Sequence, residues 1–276
     1  MERRAGTFVL PSDRYTLSVC DSCGLVQTTF DVVQADLDEL YASENEELIV
    51  AITGVTPASL SAARIPEFRL ILGVIGDRGR HGSSLLDVGC QDGTFLALAQ
   101  EAGYDVHGVE LSRFHSDRAR QRLGQDRVLT GAVVDVPMER RYDVVTLLET
   151  LEHLADPVES LRRLTLVAKS DGSIVISVPS WRYFKFKGRL ARIAGFLARR
   201  QIRGQVHTHV TVYTQESLCR LATECGLAVT RCTPIGWHGP LHSVNRIVRL
   251  ASRLRIPIVG ELAPSLLVQL ATTSRP

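Results

Sequence analysis

Several features are missing from this 276-residue chain, and each absence narrows what it can be. No apolar run reaches the ~18 residues that a membrane-spanning helix needs. Met1 to Pro11 carries arginines but no apolar core long enough for a signal peptide, so the expected location is cytoplasmic. Charge of one sign is not in excess: the net charge is +2, which gives no global attraction to nucleic acid. Internal repeats and low-complexity tracts are absent. The six cysteines (Cys20, Cys23, Cys90, Cys219, Cys225 and Cys232) are scattered and need not pair in a reducing compartment. What remains is a chain 45% hydrophobic and 22% charged, enough for one medium-sized domain with an elaboration, or one domain and a small second one.

The most informative stretch is Leu85-Leu86-Asp87-Val88-Gly89-Cys90-Gln91-Asp92-Gly93-Thr94-Phe95, followed by Val106-His107-Gly108-Val109-Glu110-Leu111. An apolar run ends in an acid and a glycine-bearing turn. A helix-forming segment follows, and a second apolar run ends in Glu110. This reads as one half of a nucleotide-binding α/β sheet, with a tight loop at a helix N-terminus and a carboxylate at the next strand tip. Gly89 and Gly93 let the backbone approach a ligand, and Glu110 can accept hydrogen bonds from both ribose hydroxyls. A dinucleotide is disfavoured, because G-x-G-x-x-G is missing and Asp87 and Asp92 would repel a pyrophosphate. The same two acids suit a ligand with a positive charge and an ammonium group.

The α/β rhythm continues. Arg113 to Leu123 reads as a helix, Arg127 to Val134 as a third strand and Tyr142 to Glu149 as a fourth. Asp156-Pro157 opens a helix that runs to about Lys169, with Val158, Leu161, Leu164 and Val167 on its apolar face. Asp171-Gly172 reads as a turn before a fifth strand from Ser173 to Pro179. After a pause, Thr214-Gln215-Glu216-Ser217-Leu218 is a capping pattern that opens a helix ending near Gly226. Leu227 to Thr233 and Ser265 to Thr272 read as strands six and seven. Continuous apolar runs of this kind belong to strands buried on both faces.

The loop around Gly89 resembles motif I of the class I S-adenosylmethionine (SAM)-dependent methyltransferases, (D/E)-x-G-x-G-x-G, with Gln91 at the middle glycine. The resemblance covers roughly residues 65 to 276. It implies an α/β fold: a Rossmann-like seven-stranded methyltransferase sheet with helices on both faces. A small N-terminal extension would occupy 1–64, and a helical cap insertion 180–213 within a domain of 65–276. SAM is the implied cofactor, held by Asp87, Gly89, Cys90, Gly93, Glu110, Leu111 and Leu148. The family's usual adenine-contacting acid is Ala132 here, which leaves backbone groups near Val133, or Asp135, to meet the adenine.

Tyr142-Asp143-Val144-Val145 through Glu149-Thr150-Leu151-Glu152-His153-Leu154-Ala155-Asp156-Pro157 resembles a segment of ubiquinone-pathway O-methyltransferases and many sugar and natural-product enzymes. Methyl transfer from a sulfonium is an in-line displacement. The protein must position the acceptor and, if it is a hydroxyl, remove its proton. A histidine with a pKa of ~6.5 is a suitable base, typically worth ~10²–10⁴-fold. His153 is the candidate base, with Glu149 and Glu152 orienting its ring or contacting the acceptor; the bland alternative is a polar helix start. In the quinone enzymes such a Glu-x-x-Glu-His group is associated with a divalent cation. Three ligands on one short segment are few for a tight site, and no metal is assigned. His207-Thr208-His209-Val210-Thr211-Val212-Tyr213-Thr214 resembles the segment that closes the acceptor pocket. It implies acceptor contacts from His207, His209 and Tyr213, against a plain strand edge.

Tyr15 to Gln27 looks like a zinc knuckle, but holds only the pair Cys20-x-x-Cys23 where structural zinc needs about four ligands. A small β-hairpin packed on the catalytic domain is the preferred reading, with Asp36 to Glu47 as an acidic helical linker. Trp181 to Gln205 is basic and amphipathic, as is 242–255. A cap over the active site, peripheral membrane contact with a lipid-linked acceptor, and a phosphate-bearing acceptor are the competing readings. The expected function is SAM-dependent methylation of a small molecule, first a hydroxyl of a sugar, polyketide-like or quinone-like compound. A non-catalytic methyltransferase-like partner protein is the alternative, and a nicotinamide dehydrogenase a weaker one. Nucleic-acid methylation is disfavoured: Leu148-Glu149-Thr150-Leu151 stands where base-amine enzymes show (N/D/S)-P-P-(Y/F), and no Pro-Cys pair occurs. Nothing in the sequence reads out an oligomeric state.

Overall fold

The structure is a computed structural model that describes residues 5–8, 17–28, 46, 50, 54–76, 82–181, 210–235 and 265–272. His207, His209, the stretches 182–205 and 242–255, and all of 36–47 except Glu46 lie outside the described residues.

Three short strands come first: β1 (Ala5–Phe8), β2 (Leu17–Cys20) and β3 (Val26–Thr28). Helix α1 (Pro57–Ile75) follows, and then the alternating series β4 (Ser84–Val88), α2 (Thr94–Glu101), β5 (Asp105–Glu110), α3 (Arg113–Leu123), β6 (Val128–Thr130), β7 (Tyr142–Leu148), α4 (Pro157–Val167) and β8 (Ala168–Pro179). The chain ends with β9 (Thr211–Val212), α5 (Gln215–Glu224), β10 (Leu227–Ile235) and β11 (Ser265–Thr272). Local chemistry starts the helices. Thr56, Ser112, Asp156 and Thr214 each accept a backbone N–H of the first turn, and Pro57 and Pro157 open α1 and α4. Among the described residues, no helix is long and apolar enough to cross a membrane.

Seven strands form one sheet in the order β10-β11-β8-β7-β4-β5-β6. β8, β7, β4, β5 and β6 are parallel, and β11 runs antiparallel between β8 and β10. The order reverses between β4 and β7, so the crevice outside their carboxyl ends is where an open α/β sheet receives a ligand. Strand side chains alternate between faces, which divides the core in two. Leu86, Val88, Val145, Leu147 and Ile176 pack with Leu161 and Leu164 of α4 and Leu218 of α5. Leu85, Val144, Leu148, Val175 and Leu267 pack with Phe68 and Ile71 of α1, Phe95 of α2 and Ala119 of α3. The same parity that sends Leu85, Val144, Leu148 and Val175 toward α1 sends Asp87, Thr146 and Ser177 there too.

Several boundaries differ from the sequence reading: the fourth strand ends at Leu148 and the helix after it at Val167, and three other strands differ too. The third strand is only Val128–Thr130, because the chain turns at Gly131-Ala132 into a short 3-10 turn, Val133–Asp135. The fifth begins at Ala168, so Asp171-Gly172 lies inside it. There the pairing to β7 jumps from Tyr142↔Ala168 to Val144↔Ser173, which leaves extra residues on β8 as an exposed bulge. A Cβ on Gly172 would lie 3.0 Å from three backbone carbonyl oxygens, so glycine fits that close approach. The sixth strand extends two residues further, to Ile235.

β1, β2, β3 and β9 form a second, antiparallel sheet. The Thr214 hydroxyl donates to the Cys23 carbonyl at 3.0 Å, and Arg220 donates to the Ser22 hydroxyl and carbonyl, both at 2.6 Å. The Val210 N–H donates to the Glu152 carbonyl at 2.9 Å, so the chain just before β9 also touches the loop after β7. Cys20 and Cys23 are free thiols at the β2–β3 turn.

At the opposite end of the sheet, Asp143 ties three elements together. It accepts the Ser84 N–H and hydroxyl and both oxygens face Lys169 Nζ, all at 2.8 Å. Burial alone would raise its pKa, but the bonds from Lys169 and Ser84 outweigh burial and lower it. The stabilisation is therefore present above the ordinary carboxylate range and lost as pH falls through the depressed folded value. Asp143→Asn should cost roughly 1–3 kcal/mol at pH 7, and the gap to wild type should narrow at pH 3. Urea unfolding at the two pH values measures it.

Candidate functional site

The β4–α2 loop owes its shape to a run of left-handed backbone. Gly89 (φ 78°), Gln91 (φ 49°) and Gly93 (φ 73°) all lie there. The Gly89 and Cys90 N–H groups donate to the Val109 carbonyl at 2.8 and 3.2 Å, which ties the loop to β5. A Cβ on Gly89 would lie 2.4 Å from Thr150 Oγ1, so the loops after β4 and β7 are in direct contact there. A Cβ on Gly93 would crowd Leu123 and Ala119 of α3 at 3.0–3.1 Å, so this glycine serves helix packing. The Cys90 side chain is buried beneath Gly108.

Glu110, at the end of β5, is buried. Its two oxygens accept the Gln91 N–H and the Ser112 N–H, each at 2.8 Å, so the carboxylate bridges the motif loop and the start of α3. Leu111 follows it, half-buried. Asp92 turns away from the crevice. Its carboxylate accepts the Thr94 N–H and hydroxyl and pairs with Arg122 Nη2 at 3.2 Å, so its charge is already answered inside the fold. Val133 is buried, and Asp135 accepts the Ala132 N–H at 2.8 Å, capping its own short turn.

The α1-facing side of the crevice concentrates charge. Asp87 is buried and accepts the Thr146 hydroxyl at 2.6 Å. Burial pushes its pKa up to about 7; the Thr146 hydroxyl and Arg64 pull it down, while Glu110 pushes it up. From α1, Arg64 Nη2 donates to Glu67 Oε1 at 3.1 Å, and the guanidinium lies over the Phe68 ring, 4.7 Å from its centre. Glu149 directly follows β7 with φ 57°, and its N–H donates to the Ser177 carbonyl at 2.9 Å. Burial takes its pKa to about 7, with Arg64, Ser265 and Ser177 restraining the rise and Glu67 adding to it.

The short turn Leu151–His153 carries the rest. Glu152 is buried, and burial followed by the nearby Glu149 charge holds its pKa well above the usual carboxylate range. His153 is 22% exposed, with Nε2 3.8 Å from Glu152 Oε1. Tyr213 is buried against the same group: burial, then Glu152, raises its pKa. Leu148 is buried at the end of β7.

The structure thus gathers Asp87, Gly89, Glu110, Leu148, Glu149, Glu152, His153 and Tyr213 at the carboxyl edge of β4, β5 and β7. Val133 and Asp135 lie beyond the end of β6. Sequence reasoning passed over Arg64, Glu67, Thr146 and Ser177. The signal for the last two was alternation along strands already recognised; for the first two it was an i, i+3 charge pair in a helix whose pattern Pro66 interrupts.

Two substitutions probe the loop. Gly89→Ala drives a Cβ into Thr150 at a left-handed position, so it should cost more than ~1 kcal/mol and abolish ligand binding. Gln91→Gly relieves left-handed strain while loosening the unfolded chain, so its stability should stay within about 1 kcal/mol of wild type. Thermal unfolding of both variants separates them. Glu149 offers a pH test. With its folded pKa raised to about 7, its contribution to stability is full below the ordinary carboxylate range and is lost as pH rises through 7. Glu149→Gln, uncharged throughout, should gain thermal stability over wild type at pH 8 and lose that advantage at pH 4.

The methyltransferase domain family matches residues 62–231. A ubiquinone biosynthesis O-methyltransferase of Aeromonas salmonicida (strain A449) is 29% identical over 160 residues, 55% of this chain and 65% of that protein. The enzyme of the same name from Acinetobacter baylyi is 28% identical over 106 residues, 36% of this chain and 44% of that protein. The chain therefore spans less than two thirds of the length of these two relatives. Among solved structures, the magnesium protoporphyrin IX methyltransferase of Synechocystis PCC 6803, with bound SAH, superposes with a TM-score of 0.58 at 14% identity, over 87% of this chain and 100% of that one. At that identity the likeness speaks for the fold. The family match covers more than half of the chain, and the protein belongs to the methyltransferase domain family, among the class I SAM-dependent methyltransferases.

Proposed function

We propose that this protein transfers a methyl group from SAM to a hydroxyl of a small molecule, of sugar, polyketide-like or quinone-like type. The observation that carries the reading is the crevice between β4 and β7. A left-handed backbone loop, the bridging Glu110 carboxylate and buried polar atoms without protein partners converge there. Arg64 Nε, Glu67 Oε2 and Glu149 Oε1 are buried with no hydrogen-bond partner among the described residues. A donor beside two acceptors fits a cofactor that ends in an amino acid, so the residues present suit SAM. Glu110 would meet the ribose hydroxyls, the loop from Gly89 to Gly93 would pass beneath the nucleoside, and Arg64 would face the carboxylate.

When bound, SAM supplies a methyl already activated by the sulfonium charge. The chain's own work is then positioning and proton removal. His153 accepts the acceptor's hydroxyl proton on its ring, with the Glu152 carboxyl 3.8 Å from Nε2 to orient the imidazole. Glu149 and Tyr213 line the approach and exclude water. The relatives named as ubiquinone O-methyltransferases support a hydroxyl acceptor, and catechols and sugars are the first compounds to screen.

Calorimetric titration with SAM and with NADH, using wild type and Glu110→Ala, tests this reading. Micromolar SAM binding, no NADH binding and at least a tenfold loss in the variant are expected, since charge-assisted bonds contribute ~1.5–3 kcal/mol each. Turnover to SAH with an acceptor should fall ~10²–10⁴-fold in His153→Gln while SAM affinity stays unchanged. Wild type that binds no SAM would point instead to a non-catalytic partner protein.

A further inference from the structure

The Arg64–Glu67 pair is built unlike a purely structural salt bridge. Glu67 is 1% exposed, yet only Oε1 touches Arg64, through Nη2 at 3.1 Å. Its other oxygen, Oε2, is buried with no hydrogen-bond partner among the described residues, and so is Arg64 Nε. Arg–carboxylate pairs are frequently bidentate, and a buried charge is costly when its remaining bonds are not made. One polar atom of each charged group is instead left over, on the same helix turn; Arg64 lies close enough to Asp87 and Glu149 to act on both, and Glu67 close enough to act on Glu149. Glu149 Oε1 is a third buried atom without a partner in this group. The complement of one N–H donor and two acceptor oxygens is a zwitterion, with a carboxylate for the guanidinium and an ammonium for the carboxylates.

We infer that Glu67 is a specificity-determining residue of the cofactor site: Oε1 holds Arg64 for the carboxylate of the cofactor's amino-acid end, and Oε2 accepts a hydrogen bond from its ammonium. The inference rests on the SAM reading above and extends it to a residue outside the motif loop. Helix α1 makes the arrangement possible, because positions 64 and 67 are one turn apart on the face that packs against β4 and β7.

The test compares two ligands on the full-length protein. SAH carries the amino-acid end; 5′-methylthioadenosine has the same nucleoside and sulfur without it. Glu67→Gln keeps an oxygen for Arg64 and loses the charge that attracts an ammonium. Calorimetry should show SAH weakened about tenfold or more, and methylthioadenosine unchanged within about twofold. Equal loss for both ligands would make Glu67 a structural residue and overturn the inference, as would no change for either. Wild type binding neither ligand would reject the cofactor reading itself, a different result. Should Glu67→Gln fail to fold, Glu67→Asp, which keeps the charge but draws it back by one methylene, is measured with the same two ligands: SAH should weaken and methylthioadenosine should not, and equal loss or no change for both overturns the inference.

Discussion

One guanidinium answers four acids in the heart of the crevice, and much of the site's behaviour follows from that imbalance. Arg64 interacts with Glu67, Asp87, Glu149 and Glu152, all drawn to the same end of the sheet. A buried carboxylate without enough positive charge around it takes up a proton. Asp87 and Glu149 accordingly rise to about 7, and Glu152 is raised as well. The site's charge is therefore adjustable near neutrality, and a ligand bearing positive charge would shift it. The imbalance has a topological origin: period-two alternation delivers Asp87 and Thr146 to the face that α1 covers, and α1 brings the cation.

Strain is concentrated at the same place. Gln91 and Glu149 are the two non-glycine residues with positive φ among the described residues, and they sit on the loops that leave β4 and β7. Gly89 and Thr150, in contact, stand beside them. Backbone held in sparsely populated regions persists only where the surroundings over-determine it. Here the surroundings are the hydrogen bonds from Gln91 to Glu110 and from Glu149 to Ser177.

Much of the sheet was legible because its strands are continuous apolar runs and its helices carry local start signals. Arg113–Leu123 and Ser265–Thr272 have the bounds read from the residues, the first because Ser112 caps it. The third strand was overread: Val133 and Val134 look like strand residues, but the turn at Gly131 precedes them. The Asp171-Gly172 turn signal was real chemistry absorbed into a bulge by pairing with β7. At the site, residue types identified Asp87, Glu110 and the Glu149–His153 segment as chemistry-bearing. They did not reveal that Glu110 holds two backbone N–H groups, or that Asp92 is spoken for by Arg122, because partners 19 and 30 residues away are brought together only by the packing of β5 and α3 against the motif loop. Arg64 and Glu67 were missed for the same reason. An i, i+3 pair on a helix is ordinary until the sheet beneath it proves to be acidic.

The seam between the two sheets sets an order for folding. The β2–β3 turn takes its bonds from Thr214 and Arg220, which lie 191 and 198 residues further along the chain. The hairpin is made 191 residues ahead of the nearer of these two docking residues, and an isolated hairpin is marginal in water. The stretch that gives the β2–β3 hairpin its neighbour also lays the Val210 N–H on the Glu152 carbonyl. Completion of the second sheet and the setting of the loop that carries His153 thus depend on the same stretch of chain, Val210 to Thr214.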